Sequence, residues 1–481
     1  MYVQQSHPTR SLSITDKGAR SGGVFDCSYA ITRAINELNQ YGGGILHIPK
    51  GIYRAKLDIT NVSNILFCGD GPSSVLILPP DDHGNVMNIS HSDNLAFKDF
   101  TLDGNRDNND IGTNEELQNC LRLIGCTFCD LSGVNTINAW MSGIKLGGWA
   151  GWEGKEPFVD DEKGCENITI RSCKVYHVYD QGIGVWSSKR VSVVGNLIID
   201  GGWAGISFTH SDYSVASGNI SGFNSYLVNA PNGEGTGIAI EGGFFNSVNG
   251  NVCVGNNATG IRVDNAPQDQ SRFSQNNIIS SNVCHSSQGG GQGLFINRSK
   301  GTIVSSNIMA YNDGHGVEFS EQAEDVQFLG NKVMSNGNCG ILSRATRSLI
   351  DGNHIHDNVS EGLILTLTKV NNLGSNHIYN NGSQGISLRG VEHCSLVGNK
   401  VFNNSAQGIE IRDEGSIPSM YNTISNNNLF DDQGIATQTR GLEEIGNSDY
   451  NLITNNIATG NRDGQITTVG SNTIAANNIA S

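Results

Sequence analysis

The sequence predicts an all-β solenoid, a parallel β-helix with about 23 residues per coil, and two periodic themes predict it. The first is a glycine followed by Ile, Leu or Val, recurring at Gly182, Gly205, Gly237, Gly260, Gly293, Gly316, Gly340, Gly362, Gly385 and Gly408. Most of its intervals are 22 to 24 residues, with two longer steps of 32 and 33. The second is an asparagine that keeps step with it at Asn196, Asn219, Asn251, Asn282, Asn307, Asn331, Asn353, Asn376 and Asn399. Two markers locked to one period mean a stacked array in which each repeat buries its apolar face against its neighbours.

Between the markers lie short alternating segments such as Ile238-Ala239-Ile240, Ile261-Arg262-Val263 and Ile409-Glu410-Ile411. Alternation is the period of a strand. One coil holds about three such strands and three tight bends, where glycine and asparagine accept the positive φ. Identical asparagines in successive coils can hydrogen-bond one another and the turn backbone, so their recurrence calls for no catalytic role. Residues one and three after the glycine point inward, and residues two and four point out. The outward columns run Lys145, Gly184, Ser207, Ala239, Arg262, Phe295, Glu318 and Gly147, Trp186, Thr209, Glu241, Asp264, Asn297, Ser320, Arg344.

The N-terminal part breaks the pattern. Within residues 26–40, Ala30, Ile31, Ala34, Ile35 and Leu38 share one helical face, Asp26 stands at the start and Gly42-Gly43-Gly44 stops the run. A capping helix is expected there, plugging the first coil. Insertions at about 145–167, 221–237, 264–277 and 414–421 interrupt the period, and loops along one edge of a solenoid build binding surfaces. The whole of 1–481 is read as one β-helix domain.

Composition narrows the function. A net charge of −16 with no Lys/Arg run speaks against nucleic acid, and no apolar stretch of about 18 residues offers a membrane span. A soluble protein is expected; the N-terminus lacks the basic start and apolar core of a secretory signal, leaving cytoplasmic and secreted locations both open. The 11 cysteines, an odd number, are read as buried free thiols rather than disulfides or metal ligands.

Asp16-Lys17-Gly18-Ala19, the capping helix, and Gly42-Gly43-Gly44 leading to Ile48-Pro49-Lys50-Gly51-Ile52-Tyr53 resemble the opening of the pectate-lyase-like right-handed parallel β-helix superfamily. That resemblance implies a right-handed coil and a carbohydrate-active role, as lyase, hydrolase, epimerase or phage tailspike. The catalytic signatures of its better-known branches are missing. Gly314-His315-Gly316 lacks the Asn-Thr-Asp and Asp-Asp partners of polygalacturonase-like hydrolases, and the Asp-Pro-His-Glu of alginate epimerases does not occur.

All five tryptophans, Trp140, Trp149, Trp152, Trp186 and Trp203, fall between positions 140 and 203. With Lys145 and Glu234, the last four form a candidate sugar-stacking platform. Beside it, Glu241 and Asp264 share an outward column one coil, about 4.8 Å, apart. Carboxylates that close divide into an acid and a base or nucleophile, as glycoside hydrolysis needs. Arg262 and Asp212 support that pair, and a Ca²⁺ site is its alternative; no cofactor motif appears. Hydrolysis of a polysaccharide or oligosaccharide is the first reading. Elimination on a uronic acid polymer is the second, with His210, Tyr213 and Arg262 supplying base and cation. A carbohydrate-binding or tailspike-like adhesin, then a trimer, is the third.

Overall fold

The computed structural model describes residues 10–112, 117–148, 164–224, 235–266 and 271–481. The chain divides into two compact units, one of residues 1–252 with 266–272 and the other of residues 253–265 with 273–481.

The first unit opens with helix α1, Ser28–Gln40, which buries Ile31, Ala34, Ile35 and Leu38. Ala30, expected on that face, lies at its half-buried edge. The Asp26 carboxylate accepts a hydrogen bond from the Ser28 N–H at 2.9 Å, satisfying one of the donors a helix start leaves over. The helix ends where Gly43 and Gly44 bend the chain at φ +121° and +151°. A Cβ on Gly43 would lie 2.3 Å from the Asn64 carbonyl oxygen, so only glycine lets the next coil pass this close.

After the helix every coil adds one strand to each of three parallel sheets. In the coil that carries Lys189–Val194, Leu197–Gly201 and Ala204–Thr209, each strand lies beside its counterpart in the previous coil, Ile206 opposite Ile183 and Phe208 opposite Val185. Inward side chains form apolar columns; Ile144, Leu146, Ile183, Val185, Ile206 and Phe208 have no solvent contact, and Phe67 stacks on Phe97 at 5.0 Å.

The second unit continues the scheme at a stricter period, with Ile341, Leu363, Ile386 and Ile409 in register on consecutive strands. Its corners carry the expected asparagine ladder. Asn331 donates its backbone N–H and its amide to Asn353 Oδ1, 2.8 and 3.1 Å away, and accepts the same two bonds from Asn307. The series runs on through Asn376, Asn399 and Asn427. A second ladder, Asn312, Asn336, Asn358, Asn381 and Asn404, repeats the geometry at another corner. It follows the first by five residues, a recurrence that reading one asparagine per period passes over.

All the cysteines are free, and all but Cys68 are buried. Cys126-Thr127-Phe128-Cys129 is a Cys-x-x-Cys spacing that a reading of scattered thiols overlooks. Cys126 gives its S–H to the carbonyls of Ile89 and Ile124, and Cys165 to that of Leu123, as structural thiols do. Of the four insertions, only the last is described throughout, as a tight turn in which Glu414 and Ile417 bridge antiparallel around Gly415.

Candidate functional site

The outward face of one strand column in the first unit gathers the polar residues that a solenoid core cannot hold. Its strands are Leu121–Ile124, Ile144–Leu146, Gln181–Trp186, Ala204–Thr209 and Thr236–Glu241. Register places Arg122 opposite Lys145, Lys145 opposite Gly184, Trp186 opposite Thr209 and Thr209 opposite Glu241. Four steps of about 4.8 Å make this row roughly 19 Å long.

Lys145 holds its ammonium 3.8 Å from the centre of the Trp186 ring, a cation–π contact, while the indole N–H donates to Gln181 Oε1 at 2.8 Å. Gly184 leaves room between them, since a Cβ there would lie 2.2 Å from Gln181 Oε1 and displace that amide. At the other end of the row Thr209 donates its hydroxyl to Glu241 Oε2 at 3.0 Å, and Ser207 lies 2.8 Å from Thr209.

The expectation of an exposed platform fails here. Lys145 is 3% exposed, Trp186 6% and Glu241 1%, although all three point away from the core. Charge in such surroundings acts more strongly than in water, which suits chemistry better than loose adhesion. Trp203 is half-buried and donates its backbone N–H to the Asp180 carbonyl at 2.8 Å. Trp140 gives its indole N–H to the Asn109 carbonyl and tilts against Tyr179, so it packs locally. Trp149, Trp152 and Glu234 lie outside the described residues.

Asp212, His210 and Tyr213 occupy the corner after the strand Ala204–Thr209. Asp212 accepts from the Arg272 guanidinium at 2.9 Å and from the Phe244 N–H at 3.0 Å, the partners of a corner brace. His210 adopts φ +50° and anchors by its N–H on the Glu241 carbonyl oxygen, 2.8 Å away. The Tyr213 ring is 55% exposed and stacks on Phe245 with centroids 5.5 Å apart, which commits one of its faces. Arg122, the cation beside Lys145, was missed by sequence reasoning. It lies one period before Lys145 in the same outward column, so extending that column by one coil would have found it.

Asp264 and Arg262 belong to the second unit, on the strand Ile261–Asp264. Arg262 reaches Asp264 Oδ2 at 2.8 Å, and Asp264 Oδ1 accepts from the Asn265 N–H at 2.7 Å and the Asn297 amide at 3.0 Å. Both carboxylate oxygens are therefore engaged, and Arg262 works as the holder of that acid rather than as a free cation. Further along the same face Glu318 pairs with Arg344 at 3.2 Å, Glu361 with Arg389, and Glu443 with Arg440 at 3.3 Å. His315, from Gly314-His315-Gly316, sets its Nδ1 2.8 Å from the Cys339 thiol. Burial holds the His315 imidazole below its ordinary range. Among the described residues no group of three or more His, Cys, Asp or Glu is arranged to hold a metal ion, and no helix is long and apolar enough to cross a membrane.

Comparison with known proteins supports the fold. The right-handed β-helix region family matches residues 342–443, and the family described as periplasmic copper-binding protein (NosD) matches residues 159–289. The mannuronan C5-epimerase AlgE1 of Azotobacter vinelandii is 32% identical over 112 residues, which is 20% of this chain and 8% of that protein. Among solved structures, bacteriophage phi29 gene product 12 aligns at TM-score 0.67 and 16% identity over 96% of this chain and 72% of its own. The catalytic unit of the GH87 α-1,3-glucanase of Streptomyces thermodiastaticus aligns at TM-score 0.51 and 16% identity, over 93% and 70%.

Proposed function

From a chain that is a right-handed parallel β-helix, we propose an enzyme that acts on a polysaccharide, with a uronate polymer as substrate and removal of the C5 proton as its first chemical step. The observation that carries this reading is the placement of Arg122 directly opposite Lys145 on a shielded outward face, with Lys145 over Trp186.

A uronate carboxylate brought to this face meets the Arg122 guanidinium, with the Lys145 amine one coil away. Neutralising it lets the electrons left by the C5 proton delocalise into the carboxyl group. Arg122, with its planar bidentate guanidinium, serves as the anchor, and Lys145, whose amine can accept a proton, serves as the base. In elimination the C5 proton passes to the unprotonated Lys145 amine, its electron pair forms the C4–C5 double bond, and the C4–O bond breaks with the leaving oxygen taking a proton from solvent water. Return of a proton to the opposite face of C5 would give epimerisation. The partial identity to a C5-epimerase supports a uronate substrate.

Hydrolysis by a carboxylate, with Glu241 as its acid, is the second reading, favoured by the burial of Glu241 at an outward position where it accepts the Thr209 hydroxyl. One experiment separates the two. The protein is incubated in deuterium oxide with neutral and uronate polymers, and C5 deuterium, unsaturated ends absorbing in the ultraviolet, and reducing ends are followed together. Deuterium at C5, from epimerisation, or unsaturated ends, from elimination, is the expected result. New reducing ends without deuterium or unsaturation would transfer the chemistry to Glu241, and no change in any polymer would leave an adhesin.

A further inference from the structure

The second unit carries a column of basic side chains that the linear sequence conceals. Lys332, His354, His377 and Lys400 are the first residues of the strands Lys332–Met334, His354–His356, His377–Tyr379 and Lys400–Phe402. Register places each opposite the next. Lys332, His354 and His377 are exposed and Lys400 is half-exposed. The two imidazoles sit with centroids 4.9 Å apart. None of the four makes an ion pair among the described residues, in a chain of net charge −16.

We infer that this column is a track for an acidic polysaccharide, engaged when the two histidines are protonated and separate from the face that carries Arg122 and Lys145. The partner's chemistry follows from spacing and charge. Four positive groups recur once per coil, about every 4.8 Å, which suits a chain bearing one carboxylate per sugar. Duplex DNA offers a phosphate every ~1.7 Å of its axis and would leave most of its charge unmatched.

The face is built to hold this geometry. In the adjacent column His356, Tyr379, Phe402 and Phe430 stack at 4.7, 4.9 and 4.9 Å, which pins the three-residue strands. Their faces are spent on one another, so they do not form a sugar platform. Lys400 lies 5.1 and 5.2 Å from the centres of Phe402 and Phe430. The groups facing the histidines are Lys332 and Lys400 within the column and His356 beside it, whose Nδ1 is held by Asp357 at 2.6 Å. Partial burial, then His377, His356 and Lys332, keep the His354 imidazole below its ordinary range. Charging His354 therefore requires a pH below about 6.5, and an anion laid along the column favours it.

The test measures binding of polygalacturonate to the full chain at about pH 5 and about pH 8, across a salt series, with neutral dextran and single-stranded DNA alongside. The expected result is at least tenfold tighter binding to polygalacturonate at the lower pH. The salt slope should steepen as the histidines charge, and dextran should not bind. The variant H354Q/H377Q should lose the pH dependence and keep the weak binding that the lysines supply. Wild-type binding that ignores pH, or a variant that retains the full pH dependence, would overturn the track; tighter binding of the DNA would overturn the polysaccharide. Deuterium exchange at C5 is read separately, so failure of this surface and failure of the Arg122 and Lys145 site are distinguishable.

Discussion

Lys145 and Glu241 carry competing chemistries, and single substitutions separate them. Lys145→Gln removes the base and leaves the outward position filled by a side chain of similar length. A loss of about 10²–10⁴ in turnover on a uronate polymer is expected, checked by C5 deuterium uptake and by unsaturated ends, with the folded state monitored by circular dichroism. Glu241→Gln should keep most of that activity, because Thr209 can still donate to an amide oxygen; a loss as large as that of Lys145→Gln would move the reaction to Glu241. Asn331 shows the structural side of the same scale. Asn331→Ala deletes the acceptor for the Asn307 N–H and amide and the donor to the Val304 carbonyl, all buried. Orphaned buried groups cost about 1–3 kcal/mol each, so a destabilisation of at least about 2 kcal/mol is expected from denaturant midpoints.

At the scale of the strand, the outward positions divide by what the next coil supplies. Where an arginine follows an acid, as Arg344 follows Glu318, the pair closes on itself. Where histidine meets a thiol, as His315 meets Cys339, the imidazole stays neutral because burial disfavours its charged form. That depressed pKa has a sign. The unfolded chain binds the proton near pH 6.5 and the folded chain at lower pH, so the stability this histidine contributes is fully present above that value. It is lost as pH falls below it. Thermal melts of the wild type and His315→Gln between about pH 8 and pH 5 should show the variant gaining relative to the wild type as the pH drops; a constant difference would mean that His315 is equally free to protonate in both states.

At the scale of the molecule, a solenoid turns a period in sequence into a line in space. Lys332, His354, His377 and Lys400 are never neighbours along the chain, yet they form one stripe, as do Arg122 and Lys145 on another sheet. Absence of a Lys/Arg run is therefore weak evidence against a polyanionic partner in this architecture. The relevant test is charge at equal phase, not charge in sequence, and the loss of pH-dependent polygalacturonate binding in H354Q/H377Q applies that test to the intact chain.

The periodic glycines and asparagines by themselves determined the coil, its direction of stacking, the inward columns and the asparagine ladder, because backbone bends and strand alternation are local properties that each repeat states afresh. The capping helix was legible for the same reason, within two residues at its start. Burial of the outward face was decided only by the tertiary structure. Lys145, Trp186 and Glu241 are buried although they point away from the core, and alternation reports which side a residue takes without reporting what covers it. Partner choice was likewise a tertiary matter: the Asp264 carboxylate is engaged by Arg262 and Asn297, and Asp212 by Arg272, contacts between chemistries that a period aligns but does not select.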